Sequence, residues 1–165
     1  MRLKIVVYAP PYISPVSIPE FEAYWLSLQI DPAPFVDPLR RQCRADTLLK
    51  KIAKRESIPT VYVVDCDGYY PGLNFVFGLA LPSLNTAVVF TERLRGERFE
   101  ERLAKEVTHE AGHLYGLGHC ENPRCVMYFS NTLFDTDRKG LYFCERCKSL
   151  LKIRQQSSRF QNLKW

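Results

Sequence analysis

Short apolar runs and proline-broken stretches alternate along the first half of the chain, and one long amphipathic segment follows. Residues 3–8 are rich in β-branched side chains and predict a buried first strand. Pro10, Pro11, Pro15 and Pro19 then break regular structure. Residues 21–29 predict a short helix. Pro32, Pro34 and Pro38 form a second irregular stretch. Pro38 suits the first turn of a helix running to about Arg55, with Leu39, Cys43, Leu48, Leu49 and Ile52 as its apolar face. Three strand-like runs come next, over residues 58–66, 73–81 and 85–91. The first is nearly continuous in apolar residues, as a central strand requires, and the second suits an edge. Asp67-Gly68 is a turn signal, and Arg95-Gly96 closes the stretch.

Residues 97–115 carry the clearest helical period. Phe99, Leu103, Val107, Ala111 and Leu114 form one apolar stripe. A sheet, then this helix, then an irregular cysteine-rich segment predict an α+β architecture. The length of 165 residues fits a single domain, and a hydrophobic fraction of 46% is ample for a core.

The net charge of +5 is a mild excess, without the concentrated basic arm of a nucleic-acid-binding protein. No apolar stretch approaches the roughly 20 residues that span a bilayer. The N-terminus lacks a signal-peptide pattern. A soluble cytoplasmic monomer without membrane or nucleic-acid partners is the expectation. Thiols stay reduced in that compartment, so the six cysteines suggest metal binding before disulfides.

The amphipathic helix also carries the chemistry. Residues 109–119 read His-Glu-Ala-Gly-His-Leu-Tyr-Gly-Leu-Gly-His, and they hold all three histidines of the chain. This is H-E-x-x-H-x-x-G-x-x-H, a three-histidine zinc site with a built-in general base. His109 and His113 are one helical turn apart, so both imidazoles can reach one ion at about 2.0–2.1 Å. They fall to one side of the apolar stripe, toward a cleft. Glu110 is placed to take a proton from water rather than to bind metal. Gly116 ends the helix, since positive φ is cheap for glycine, and the turn returns His119 as third ligand. Three protein ligands leave a fourth position for water, the mark of a catalytic zinc.

Cys120 follows His119 directly, Cys125 comes five residues later, and Cys144 and Cys147 form a C-x-x-C pair. Four thiols in two pairs suit a closed, structural zinc site. A redox C-x-x-C or disulfides are the alternatives. Residues 121–143 are poor in helix and strand signals, so a metal staple would hold their shape and aim His119. Cys43 and Cys66 remain, read as small buried hydrophobes. A helix-like run over residues 148–155 leads into a basic tail with Lys148, Lys152, Arg154, Arg159, Lys164, Phe160 and Trp165, read as a solvated helix face with a frayed end.

The run from His109 to His119 resembles the metzincin metallopeptidases. Cys120, Cys125-Val126-Met127 and Cys144-x-x-Cys147 narrow the resemblance to the archaemetzincins, with weaker similarity upstream at Phe77-Gly78. The resemblance implies a twisted mixed sheet and an active-site helix above a cleft. The upper lobe would span about residues 1–117 and a smaller, zinc-stapled lobe about residues 118–165. It also implies an edge strand that pairs with an extended peptide, two zinc ions per chain (one catalytic, one structural), and Met127 as a hydrophobic floor beneath the metal. Many metzincins carry a tyrosine two positions after this methionine; here Phe129 stands there and Tyr128 comes first. The expected activity is zinc-dependent hydrolysis of peptide or protein substrates with Glu110 as general base. The alternative is a zinc-stabilised binding or regulatory module with little or no peptidase activity.

Overall fold

The computed structural model describes residues 1–8, 13–28 and 31–161, with side chains to residue 157. Pro10, Pro11 and Gln29, together with Lys164 and Trp165 of the basic tail, lie outside the described residues, as do the side chains of Arg159 and Phe160. The elements in chain order are β1 (Arg2–Tyr8), β2 (Glu22–Leu28), β3 (Val36–Asp37), β4 (Gln42–Arg44), α1 (Ala45–Ile52), β5 (Thr60–Val64), β6 (Gly68–Tyr69), β7 (Gly78–Leu81), β8 (Thr86–Phe90), α2 (Phe99–Leu114), α3 (Leu133–Arg138) and α4 (Glu145–Gln161). Among the described residues no helix is long and apolar enough to cross a membrane.

The main sheet has the order β2-β1-β5-β8-β7. Its first four strands are parallel, and β7 runs antiparallel to β8 at the far edge. Strand periodicity sorts the side chains onto two faces. Leu3, Ile5, Val7, Val61, Val63, Ala87 and Val89 face α2 and the C-terminal segment. Val6, Tyr8, Tyr62, Val64, Val88 and Phe90 face α1, through its buried Leu48 and Leu49. β5 is central, as its unbroken apolar run requires. The core on the α2 face continues without a break into Met127, Phe143, Cys147 and Leu151, so the C-terminal segment packs on the same core as the sheet.

Three predicted elements differ. Residues 21–29 do not form a helix; β2 lies there, paired in parallel with β1. It is an edge strand, half exposed, and its short apolar run fits either period; the free edge of β1 decides for strand. The helix expected from Pro38 begins only at Ala45, because β3 and β4 form a small sheet with β6. Leu39 is 94% exposed and Cys43 is in β4, so neither belongs to a helix face. The stretch 121–143, read as irregular, holds α3, started by a capping box in which Thr132 and Asp135 bond each other's backbone N–H groups.

Cys43 and Cys66 are buried as expected, but they are also joined in a disulfide, with Cα atoms 6.5 Å apart. β6 brings them together: Cys43 pairs in register with Gly68 and its N–H donates to Asp67 O. The two cysteines are 23 residues apart, and only the pairing of β4 with β6 makes them neighbours.

Candidate metal centre

α2 builds the site. Its first turn carries Glu100 and Glu101, which complement the helix dipole. Leu103, Val107 and Ala111 are fully buried against the sheet, each larger side chain worth about 1.5–3 kcal/mol. The opposite flank carries His109 and His113 into a cleft bordered by β7.

Gly116 ends the helix at φ +90°. Leu117 N–H donates to Gly112 O and Gly116 N–H to His113 O, both at 2.9 Å, the paired bonds of a Schellman motif. This motif also orients an imidazole. It turns Leu117 O back to accept from His113 Nδ1 at 2.8 Å. His109 Nδ1 donates likewise to Val126 O at 2.8 Å. A carbonyl has no proton to give, so each Nδ1 carries the hydrogen and each Nε2 keeps a free lone pair. The two Nε2 atoms are 3.1 Å apart. His119 comes back from the turn, stacked on His109 at 5.3 Å between ring centroids and flanked by Phe129 at 4.8 Å. One ligand atom from each of the three histidines lies within 4.8 Å of the others.

These residues fit a zinc ion. Bonds of about 2.0–2.1 Å at tetrahedral angles place two nitrogens roughly 3.3 Å apart, close to the 3.1 Å found. Burial depresses the affinity of all three imidazoles for protons, most strongly at His109, and the Lys139 ammonium adds to this. Neutral imidazole is the form that binds metal.

Glu110 is 5% exposed beside these rings. Burial and then the negative charge of Glu106 push its carboxyl up to about 8, against the pull of the Lys139 ammonium. A divalent cation at the histidines favours the ionised carboxylate. A Cβ on Gly78 would stand 2.5 Å from Glu110 Oε1 and 2.7 Å from Val88 O, so the close approach of β7 to this carboxylate needs glycine there.

Met127 is fully buried under the helix. A Cβ on Gly112 would collide with its Sδ, so the glycine between the two helical histidines admits the methionine. Cys120 N–H donates to Met127 O at 2.9 Å, tying the third histidine's loop to that turn.

On the other side of the His119–Cys120 bond lies the cysteine cluster. Cys120, Cys125, Cys144 and Cys147 have their Sγ atoms within 4.8 Å of one another. Cys120 and Cys144 are 3.8 Å apart, Cys125 and Cys147 3.7 Å. Zinc–sulfur bonds of about 2.3 Å in a tetrahedron give an S···S edge of roughly 3.8 Å, whereas a disulfide would need about 2.05 Å. The cluster therefore fits a closed zinc site and not paired disulfides.

Several contributors escape a reading by motif. Gly78 and Gly112 act by close approach, and the carbonyls of Leu117 and Val126 act whatever their side chains. Glu106 and Lys139 form a buried ion pair at 3.0 Å behind Glu110. Arg154, read as part of a solvated helix face, is exposed and also lines the cleft.

Residues 10–153 match peptidase family M54. The archaemetzincin of Pyrobaculum aerophilum is 63% identical over 151 residues, covering 92% of this chain and 97% of the relative. The crystal structure of the archaemetzincin from Methanopyrus kandleri matches at TM-score 0.78 and 34% identity, covering 94% of this chain and 96% of that one. The archaemetzincin of Archaeoglobus fulgidus, complexed with malonate, matches at 0.75 and 33%, with 90% and 99% covered. With these relatives and its two metal-binding clusters, the chain belongs to peptidase family M54, the archaemetzincin group of zinc metallopeptidases.

Proposed function

We propose that His109, His113 and His119 hold the catalytic zinc of this metallopeptidase and that Glu110 is its general base. The observation that carries this reading is the convergence of three imidazole lone pairs with one carboxylate at an open cleft. Zinc bound there would polarise the scissile carbonyl and lower the pKa of water toward about 7. Glu110 takes the water proton and passes it to the leaving amine. Val126 and Leu117 hold the imidazole rings in the metal-binding tautomer through their carbonyls. Met127 floors the site as an apolar support, since thioethers are poor partners for a water-bearing zinc. Cys120, Cys125, Cys144 and Cys147 hold a second, structural zinc that fixes the loop carrying His119.

The substrate is read as an extended peptide added along the free edge of β7, whose Gly78, Leu79 and Ala80 line the cleft. The chain is read as one domain of two lobes, about residues 1–117 and 118–165, acting as a cytoplasmic monomer without nucleic-acid or membrane partners. The test is cleavage of a mixed peptide library by zinc-loaded protein, with and without chelator, beside Glu110→Gln. Chelator-sensitive cleavage that Glu110→Gln abolishes while retaining both zinc ions supports the assignment. Near-normal cleavage by Glu110→Gln removes Glu110 from the role. No cleavage by fully metallated protein favours a binding module.

A further inference from the structure

Residues 70–77, between β6 and β7, wall the cleft just ahead of the strand on which the substrate is read to lie. Tyr70 and Leu73 line the cleft from this rim and are 41% and 46% exposed, so two large apolar side chains border the space a peptide would fill. Val76 lies two residues before Gly78, the glycine that meets Glu110. A peptide that extends past the N-terminal end of β7 therefore meets the rim. The rim holds no helix or strand of its own among the described residues, and its shape comes from β4 and β6. Val76 N–H donates to Gly68 O at 2.8 Å. Asn74 O accepts from Gln42 Nε2 at 2.9 Å and from Arg40 Nη2 at 3.2 Å. Arg93 grips Asp67 at 2.7 and 2.8 Å and lies 4.3 Å from the centre of the Phe75 ring. The bonds from Arg40 and Gln42 need β4 beside β6, yet these strands pair over two residues only, Cys43 with Gly68 and Arg44 with Tyr69. So short a pairing is marginal in water. The Cys43–Cys66 bond joins the same two segments, four residues ahead of Tyr70.

We infer that, with the cleft working as the peptide site proposed above, the Cys43–Cys66 disulfide is a positioning element for substrate binding: it holds the rim in the form that grips the peptide. The two sulfurs take no part in the bond-breaking step. Cys43 is 0% exposed and Cys66 5%, so an external thiol reaches them when β4 parts from β6. Bond and rim are therefore coupled in both directions. Reduction loosens the rim and weakens peptide binding, and a peptide seated on the rim protects the bond by the same factor. In the reductive step two external thiols lose two electrons and join as a disulfide. The Cys43–Cys66 bond gains those electrons and two protons and becomes two thiols.

The test compares zinc-loaded full-length protein in three forms: oxidised, reduced by glutathione, and Cys43→Ala/Cys66→Ala. Thiol trapping with peptide mapping reports the state of the pair. A fluorogenic peptide with large apolar side chains around its cleaved bond is expected to show a KM about tenfold higher in the reduced protein and in the alanine variant, with the loss in KM rather than in kcat or zinc content. Tyr70→Ala/Leu73→Ala in the oxidised protein raises KM as well, and reduction then adds little. A KM that is equal in the oxidised and reduced proteins, or a penalty that adds in full to that of the rim variant, overturns the inference and spares the peptidase reading. Where the alanine pair does not fold, reduced wild type carries the comparison; loss of zinc or of helix content on reduction shows a bond that supports the whole fold, and overturns the inference. A second readout needs no cleavage. Fluorescence anisotropy measures binding of the same peptide to zinc-loaded Glu110→Gln in both redox states, and thiol trapping measures how far saturating peptide raises the glutathione needed for half-reduction. Weaker binding after reduction, with that protection by peptide, upholds the inference even where wild type cleaves nothing and the peptidase reading fails. Equal binding in the two states, or no binding in either, overturns it.

Discussion

His119 and Cys120 are neighbours in the chain, yet they serve clusters built on opposite plans. The histidine cluster is graded from the buried His109 to the exposed His119, opens on a cleft, and has a buried carboxylate beside it. The cysteine cluster is buried at three of its four positions, with Cys144 half-buried. Its two short sulfur–sulfur edges are nearly equal, at 3.7 and 3.8 Å. The open cluster gives up enclosure and relies on outside groups, the carbonyls of Val126 and Leu117, to orient two of its imidazoles. One that only holds chain together can surround its ion completely. The contrast teaches that four enclosing ligands build structure and three with an open side build reactivity.

That contrast predicts different losses on ligand removal. The largest effect is expected at the cysteines. Cys147→Ser should release one zinc per chain and lower the melting temperature sharply, because structural zinc contributes on the order of 10 kcal/mol of apparent binding energy. Metal analysis with calorimetry checks this; a stable variant holding a single zinc would mean that the cluster does not support the fold.

Next comes Glu110→Gln, expected to lower kcat/KM by about 10²–10⁴-fold with both ions retained and the melting temperature nearly unchanged. Peptide cleavage beside metal analysis decides it.

The polar clamp between α2 and α3 ranks third. Arg102 holds Asp137 at 2.6 and 2.8 Å, Thr136 Oγ1 donates to Glu106 at 3.0 Å, and the fully buried Lys139 pairs with the same carboxylate. Lys139→Met strands a buried carboxylate and should cost about 3–5 kcal/mol in urea unfolding. The double variant Lys139→Met/Glu106→Leu should recover much of that loss. Equal destabilisation in the two variants would show that charge burial is not the cause.

Gly112→Ala is smaller, about 1–3 kcal/mol, since a methyl there must displace Met127. The displacement should also reduce activity, because Met127 O holds the loop of His119 through Cys120 N–H; a thermal melt and a cleavage rate report the two parts separately.

Smallest is an acid effect away from both metals. Arg98 and then Lys105 hold the Glu101 carboxyl down at about 2, against an ordinary value of 4.5. A depressed folded value stabilises above the unfolded one, so this contribution is complete above pH 4.5 and fades as pH falls toward 2. Glu101 is 42% exposed, so solvent screening keeps the effect to about 1 kcal/mol or less. The acid-melt difference between wild type and Glu101→Gln should shrink in high salt.

What the chain reveals by itself follows from how local each feature is. The metal motif spans 11 residues on one helix and its terminal turn, so helical period and one glycine suffice to bring His109, His113 and His119 together. The stripe of Leu103, Val107 and Ala111 and the central β5 are legible for the same reason: burial repeats at the period of the element. The cysteine set was legible from ligand chemistry, although its pairs lie about 20 residues apart. β2 was not, because seven residues on a sheet edge carry no decisive period, and the unpaired edge of β1 selects the strand. The Cys43–Cys66 bond, the close approach of Gly78 to Glu110, the Glu106–Lys139 pair and the seat of Arg154 at the cleft all join residues far apart in sequence. No local pattern records such contacts. Sheet order and core packing alone bring them together, which is why the histidine and cysteine clusters could be read along the chain while the groups that support them required the folded molecule.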